Sequence, residues 1–157
     1  MSKVKIYLDD VRIPLVPVEW VIVTSYDEFV NAISKHGLEN IEYISFDHDL
    51  GEKAIAEFFN GVYENDENPI FNYHNLGDEK TGMDCAKWLI EQYILPKFKT
   101  DEEIKKYCKD FPQINVHSAN SIGKKNIISY FYSFYKTFNI NSEITTYYHA
   151  HSYRNFN

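Results

Sequence analysis

Short apolar runs alternate with helical patterns along most of the chain. The apolar runs carry many β-branched and aromatic residues, which favour strands. The helical patterns place apolar residues on one face, and several begin at a capping residue or end at a glycine or proline. We predict strands at residues 4–8, 20–24, 42–46, 114–116 and 143–148, and helices at residues 26–35, 81–94 and 122–138.

This alternation predicts the class of fold. No hairpin signal separates the strands, so each strand is expected to reach the next through a helix, as in βαβ units. We therefore predict one α/β domain over residues 1–157, with a mainly parallel sheet and helices on both faces. Residues 11–14 cannot continue the first strand as a central strand because Pro14 has no N–H donor, and we expect a loop there.

Two segments depart from the alternation. Residues 52–80 are rich in Asn, Pro and Gly, which favour loops, and we interpret them as an insertion after the third strand. A long insertion at a strand end is more often a functional lid or a partner-binding loop than a core element. Residues 99–111 are highly charged, which predicts a short solvated helix.

The composition is that of a globular protein, and it narrows the range of partners. Hydrophobic residues make up 44% of the chain and charged residues 25%, which argues against disorder. The net charge of −7 repels polyanions, so we expect no duplex DNA partner. A small anionic ligand can still bind where a metal ion, a local cation or a helix N-terminus overcomes that repulsion.

The cysteine content and the hydropathy bear on the cellular localisation of the protein. Cys85 and Cys108 are the only cysteines, which suggests reduced thiols rather than a disulfide framework or a zinc cluster. No signal peptide is visible and no apolar run approaches the roughly 20 residues of a membrane span. We expect a cytoplasmic protein with no membrane partner, and the sequence leaves its oligomeric state open.

Acidic residues follow two of the predicted strands directly. Asp9 and Asp10 end the first strand, and Asp47 and Asp49 follow the third. In open α/β sheets, ligands bind outside the carboxyl ends of the strands, where these side chains converge. Clustered carboxylates repel one another unless a hard cation such as Mg²⁺ or Mn²⁺ binds them, and we predict Asp9, Asp10 and Asp47 as metal ligands. A single Asp more often caps a turn, but capping does not explain clusters after two strands.

Two histidines and a helix start lie at the same predicted edge. His48 and His117 each follow an apolar strand, which suits proton transfer near neutral pH; the alternative is a pair of histidines bonded to neighbouring carboxylates. Ser118, Asn120 and Lys124 surround the start of the last helix, where free N–H groups and cations can hold a phosphate. The alternative for this segment is an ordinary capped helix with its lysines in solvent. Residues 130–135 are strongly aromatic, and core packing is a better explanation of them than base stacking.

These motifs resemble the receiver fold of two-component signalling, and within it the divergent branch proposed to process cyclic phosphates. The resemblance rests on residues 8–14, 45–51, 81–82 with Trp88, and 116–123. It implies a five-stranded sheet of order 2-1-3-4-5. Ordinary receivers carry acidic residues after strand one, a phosphate-accepting Asp after strand three, a Ser or Thr after strand four and a Lys after strand five. The first three positions are matched, but residues 143–149 contain no lysine.

The resemblance implies a metal-dependent phosphoesterase that opens a cyclic phosphate of a nucleotide, an RNA end or an ADP-ribose derivative. Asp47 either ligates the metal or attacks phosphorus, and both roles remain open. Two alternatives are a phosphoacceptor module in signalling and a non-catalytic binder of a small phosphorylated nucleotide, with the insertion as its lid. The roles that the resemblance implies are metal binding by Asp9, Asp10 and Asp47, proton exchange by His48 and His117, and substrate binding by Arg12, Asp49, Ser118, Asn120 and Lys124.

Overall fold

The strongest apolar runs of the sequence form one parallel sheet in the computed structural model, which describes residues 2–154. The strands are β1 (Val4–Leu8), β2 (Arg12–Pro14), β3 (Val21–Val23), β4 (Ile41–Phe46), β5 (Gln113–Val116), β6 (Ile144–Thr145) and β7 (His151–Tyr153). The main sheet has the order β3-β1-β4-β5-β6, and all of its pairs are parallel. Because β2 lies outside this sheet, its five strands follow the order 2-1-3-4-5 along the chain, as predicted.

Four of the five α-helices lie where the sequence predicts them, and the other one falls within the insertion. They are α1 (Tyr26–His36), α2 (Glu52–Glu57), α3 (Gly82–Lys87), α4 (Asp101–Tyr107) and α5 (Ser121–Phe138). Two of them continue as wider π-helical turns, α2 through Phe58–Tyr63 and α3 through Trp88–Ile94. Side chains of Ser25, Thr81 and Asn120 accept hydrogen bonds from backbone N–H groups in the first turns of α1, α3 and α5, which explains where these helices begin.

The prediction of a loop at residues 11–14 is wrong. Arg12–Pro14 forms β2, which pairs with β7 in a separate antiparallel ribbon. A proline is tolerated there because β2 has a single partner strand, so the missing N–H donor breaks no central ladder. This ribbon places Arg12 directly opposite Tyr153.

The last strand of the main sheet is shorter than predicted. The prediction covers residues 143–148, whereas β6 ends at Thr145. The side-chain amide of Asn115 in β5 donates to the carbonyl oxygen of Tyr147 and accepts from its backbone N–H, at 2.9 and 2.7 Å. These bonds replace the backbone ladder with side-chain bonds.

The core packs between the sheet and the helices. Ile6, Ile44 and Ile114 of adjacent strands are fully buried. In the aromatic run at residues 130–135, Phe131 and Tyr135 are buried in the same cluster, so the prediction of core packing is confirmed. Cys85 and Cys108 are free and buried.

The insertion at residues 52–80 is more ordered than the sequence indicates. It contains α2, the π-helical turn and a 3-10 turn at Tyr73–Leu76. Its small core consists of Ala54, Val62, Phe71 and Leu76, against which Ile122 of α5 packs. The insertion is thereby fixed beside the carboxyl ends of the strands. Within residues 2–154, no helix has the length and apolarity that a bilayer span requires.

Candidate functional site

Three polar side chains occupy equivalent positions at the carboxyl edge of the sheet. Asp9, Asp47 and His117 are the first residues after β1, β4 and β5. Their backbone N–H groups continue the parallel ladders, with bonds to Val23, Leu8 and Phe46 carbonyl oxygens at 3.0, 2.9 and 2.9 Å. Because the strands are in register, these three side chains project on the same side of the sheet.

This arrangement creates a buried group of possible metal ligands. One ligand atom of each of Asp9, Asp47 and His117 lies within 4.8 Å of the others, and all three residues are buried. Two carboxylates and an imidazole are a donor set that divalent cations accept. The predicted ligand set contained Asp10 instead of His117. Asp10 lies outside this close group in the described part of the chain, yet its Oδ1 atom is buried with no hydrogen-bond partner.

Arg12 is ion-paired with both carboxylates in the structure. Its Nε atom donates to Asp9 Oδ2 at 2.7 Å, and Nη2 lies 3.2 Å from Asp47 Oδ1. A third nitrogen, Nη1, donates to the His117 carbonyl oxygen at 3.2 Å. The other oxygen of Asp9 accepts the backbone N–H groups of Val11 and Arg12, which forms the turn after β1 and brings Arg12 back over the site. Two buried acids thus share one partly buried base, and buried charges require such a partner.

The charges shift the pKa values of the aspartates in opposite directions. Burial alone would raise the pKa of Asp9, but the His117 hydrogen bond and the Arg12 charge lower it below its ordinary value. Burial and the charge of Asp9 raise the pKa of Asp47 well above the ordinary range. The same causes raise the pKa of Asp10 to about 6. The site is therefore short of positive charge, as a cation-binding site is expected to be.

His117 is held by hydrogen bonds at both ring nitrogens. Nε2 lies 3.0 Å from Asp9 Oδ2, and Nδ1 lies 2.6 Å from the Ser45 hydroxyl oxygen. Asn115 Nδ2 donates to Ser45 at 2.8 Å, which leaves the hydroxyl hydrogen free to point at His117. Burial lowers the pKa of His117, which favours the neutral ring. The Tyr7 ring stacks on the imidazole with centroids 4.5 Å apart and fixes its plane.

A row of three polar side chains on adjacent strands lies two residues before the three strand-end residues. Tyr7, Ser45 and Asn115 each precede one of them by two positions, so they share its face of the sheet. Sequence reasoning missed this row. The available signal was a serine and an asparagine among the apolar, buried residues at the carboxyl-terminal halves of β4 and β5.

His48 belongs to a second cluster that faces the insertion. Its Nδ1 atom lies 2.7 Å from Asp49 Oδ1, and Nε2 lies 2.8 Å from the Tyr73 hydroxyl oxygen. Asn126 Nδ2 also donates to that hydroxyl, at 3.0 Å. Tyr73 was not predicted, because the irregular sequence of the insertion gives no sign of which residue reaches His48.

Two glycines allow this cluster to pack closely. A Cβ atom at Gly123 would clash with the His48 ring, and one at Gly82 would clash with the Asp47 carbonyl oxygen. These contacts explain the glycine after Thr81 and the glycine in the first turn of α5. They also leave His48 fully buried.

The predicted phosphate ligands at the start of α5 have internal partners. Asn120 caps the helix by accepting from the Gly123 N–H group at 3.0 Å, and its amide donates to Asp49 Oδ1 at 3.1 Å. Ser118 Oγ accepts from the backbone N–H of Asn120 at 3.2 Å. Lys124 Nζ donates to the Tyr148 hydroxyl oxygen at 3.2 Å. Their predicted contact with a phosphate stays a prediction.

A cavity of about 290 Å³ opens next to the acidic group. Its polar lining comes from Asp10, Arg12, Asp47 and Asp49, and its apolar lining from Val11, Ile55, Phe58, Phe59, Ala119 and Tyr153. His48, His117, Ser118, Asn120 and Lys124 are not among the residues that line it. The cavity thus brings together four of the predicted site residues.

The strand order and the acidic carboxyl edge define a receiver-like α/β domain. A family model, described as the cyclic-phosphate processing receiver domain, matches residues 4–133. Because the match spans most of the chain, the protein belongs to this family. The β6 and β7 strands lie beyond the matched residues. No curated protein and no solved structure matches the chain.

Proposed function

We propose that this protein hydrolyses a cyclic phosphate with a divalent cation bound by Asp9, Asp47 and His117. The observation that carries the proposal is the buried group of two carboxylates and one imidazole within 4.8 Å, beside an open cavity. The sequence predicted Mg²⁺ or Mn²⁺, and an imidazole ligand favours Mn²⁺ over Mg²⁺. Asp10 remains a further candidate ligand because of its unpartnered buried oxygen.

When bound, a divalent cation polarises phosphoryl oxygens and lowers the pKa of a bound water. The hydrogen bond from Ser45 allows His117 to act as a metal ligand, because the Ser45 hydroxyl can accept a hydrogen bond from Nδ1–H as well as donate one to Nδ1. With the proton on Nδ1, the Nε2 lone pair is free for a metal. Ser45 is therefore a positioning residue for His117.

We propose that Arg12 binds the phosphate, the role that the resemblance implies for it. It lines the cavity. Its Nε and Nη1 atoms donate hydrogen bonds to Asp9 and to the His117 carbonyl oxygen, and Nη2 is ion-paired with Asp47. A guanidinium has five N–H donors, so two remain for phosphate oxygens.

Proton transfer is assigned to a carboxylate rather than directly to the histidines. His48 and His117 are buried with both ring nitrogens bonded, whereas Asp49 lines the cavity. We propose that Asp49 accepts the proton of the attacking water, while His48 and Asn120 hold it in place at 2.7 and 3.1 Å. The water oxygen bonds to phosphorus and the ring P–O bond breaks. Asp49 then gives the proton that it accepted to the departing oxygen, which yields a monoester and restores the carboxylate.

Phosphorus NMR tests this proposal directly. The protein is incubated with a panel of cyclic phosphates in Mn²⁺, in Mg²⁺ and in a chelator, beside the variants Asp9→Asn and Asp66→Asn. Asp66 is exposed on the insertion and serves as the matched control. Metal-dependent conversion of a cyclic diester to a monoester, lost only in Asp9→Asn, supports the proposal. The absence of turnover across the panel contradicts it and favours a non-catalytic nucleotide binder.

The alternative of a phosphoacceptor module keeps one specific observation in its favour. Asp47 lines the cavity with Arg12 Nη2 at 3.2 Å, so a cation stands beside the acceptor position although residues 143–149 contain no lysine. Stable labelling of Asp47 by acetyl phosphate, detected by mass spectrometry of the intact protein, supports this alternative. Rapid release of phosphate without a labelled protein contradicts it.

A further inference from the structure

The lining of the cavity at the acidic edge has a polar part and an apolar part. The polar part includes Arg12 and Asp47, which suit a phosphate and its cation. The apolar part includes three aromatic residues, Phe58, Phe59 and Tyr153. A phosphate alone needs no aromatic surface, which favours a ligand that also has a flat or apolar part.

Two of the three aromatic rings are available to a ligand. Phe58 packs against the small core of the insertion. In contrast, Phe59 is 47% exposed and Tyr153 is 68% exposed. Stacking of a nucleobase requires exposed rings, and Phe59 and Tyr153 supply two of them in the lining of the cavity.

The β2–β7 ribbon places one of these rings beside the predicted phosphate contact. Tyr153 is the direct cross-strand partner of Arg12, and opposite residues of an antiparallel pair project on the same face. Phe59 reaches the cavity from the π-helical turn after α2. The proposed phosphate and base contacts therefore line the same cavity, where the two ends of one nucleotide can reach them.

The size and charge of the site select among the substrate classes. A cavity of about 290 Å³ lies at the small end of ligand pockets and matches one nucleotide. The net charge of −7 disfavours a longer RNA chain. Resting on the proposed function, we infer that the substrate is a cyclic mononucleotide whose base stacks on Phe59 and Tyr153.

Paired ligands with and without a base test this inference. Calorimetry measures the binding of 5′-AMP and of ribose 5-phosphate to the metal-loaded protein and to the variants Phe59→Leu and Tyr153→Leu. The control is Tyr132→Leu, because Tyr132 is 45% exposed on α5 and does not line the cavity. Leucine keeps the apolar packing and removes the aromatic face.

We expect each cavity variant to bind 5′-AMP about tenfold more weakly, with ribose 5-phosphate binding unchanged. The control is expected to bind both ligands like the unmodified protein. Equal losses for both ligands, or no loss for either, would overturn the base-binding role. Melting curves of all variants show whether a loss of binding reflects a loss of folding.

Turnover separates this inference from the proposed hydrolysis. If 5′-AMP binds through Phe59 and Tyr153 but no cyclic phosphate is opened, the hydrolase proposal fails and the base site stands. If cyclic mononucleotides and base-free glycerol cyclic phosphate are hydrolysed with equal KM, the base site fails and the hydrolase proposal stands.

Discussion

His48 and His117 follow apolar strands in the sequence, yet the structure gives them different surroundings. His117 presents Nε2 to Asp9 and belongs to the close group of possible metal ligands. His48 presents Nε2 to Tyr73 of the insertion and is bonded through Nδ1 to Asp49. One histidine therefore faces the acidic centre, and the other supports a carboxylate that lines the cavity.

The difference follows from a single position along the strand. His117 is the first residue after β5 and remains in the ladder through its bond to Phe46. His48 is the second residue after β4, and successive side chains of an extended chain project to opposite faces. The first residue after each of three adjacent strands projects into the group of possible metal ligands. The position of a histidine relative to the end of its strand therefore determines whether it can bind the proposed metal.

The largest loss of activity is expected for Asp47, which is both a proposed metal ligand and an ion-pair partner of Arg12. Asp47→Asn should lower kcat/KM by about a thousandfold or more, because it removes a ligand charge from the proposed metal site. Steady-state assays of cyclic phosphate hydrolysis measure this loss, with Asp66→Asn as the control. Hydrolysis that survives in Asp47→Asn at near-normal rates contradicts the proposed role.

Metal affinity distinguishes the two histidines. His117→Gln should weaken Mn²⁺ binding by about a hundredfold, while His48→Gln should leave it within a few-fold. Calorimetric Mn²⁺ titrations provide the affinities, and melting curves confirm that both variants fold. Equal losses of Mn²⁺ affinity in the two variants would contradict the proposal that the metal binds at His117 and not at His48.

The hydroxyl of Tyr73 provides a milder test of the second cluster. Tyr73→Phe removes the partner of His48 Nε2 and of Asn126, and it should lower kcat up to about tenfold with little change in KM. The lost bonds should cost about 1 kcal/mol of stability. Kinetics and urea denaturation measure both quantities. A change in KM alone would mean that Tyr73 contacts the substrate rather than positioning His48 and Asp49.

The pH dependence of stability in metal-free protein is expected to change without any effect on catalysis being measured. Asp10 has a pKa raised to about 6, so the folded state favours its protonated form. Its contribution is fully present below pH about 4, the unfolded pKa, and is lost as the pH rises through about 6. Asp47, whose pKa is also raised, acts in the same direction. His117 acts in the opposite direction because its pKa is lowered, so the protein loses stability as the pH falls below 6.5, the ordinary pKa of histidine.

Replacing Asp10 isolates its share of this pH dependence. Asp10→Asn should increase the free energy of unfolding at pH 7 relative to pH 4 by on the order of 1–2 kcal/mol, compared with the unmodified protein. Urea denaturation in a chelator at several pH values measures the difference. Parallel curves for the two proteins would show that Asp10 is not strained by the neighbouring charges.

Much of the fold follows from local patterns, and the exceptions have identifiable causes. Apolar runs and capping residues predict the sheet and its major helices because they act over a few neighbouring residues. The β2–β7 ribbon could not be predicted, since it joins three-residue strands from opposite ends of the chain. The bond between His48 and Tyr73 was equally hidden, because it depends on how the small core of the insertion packs.

The candidate site was predictable in part. Acidic residues after two strands indicated the location of the site, and the cavity contains Asp10, Arg12, Asp47 and Asp49. The close group replaces Asp10 with His117 because strand register, not sequence proximity, decides which side chains meet. The aromatic side of the cavity was missed because exposure cannot be read from a sequence.

Pulsed electron paramagnetic resonance of the Mn²⁺-loaded protein tests the central claim most directly. Nitrogen coupling to the bound Mn²⁺ identifies a histidine ligand without any knowledge of the substrate. We predict a single histidine coupling that persists in His48→Gln and disappears in His117→Gln. No bound Mn²⁺, or a coupling that survives in His117→Gln, would contradict a metal centre built on Asp9, Asp47 and His117.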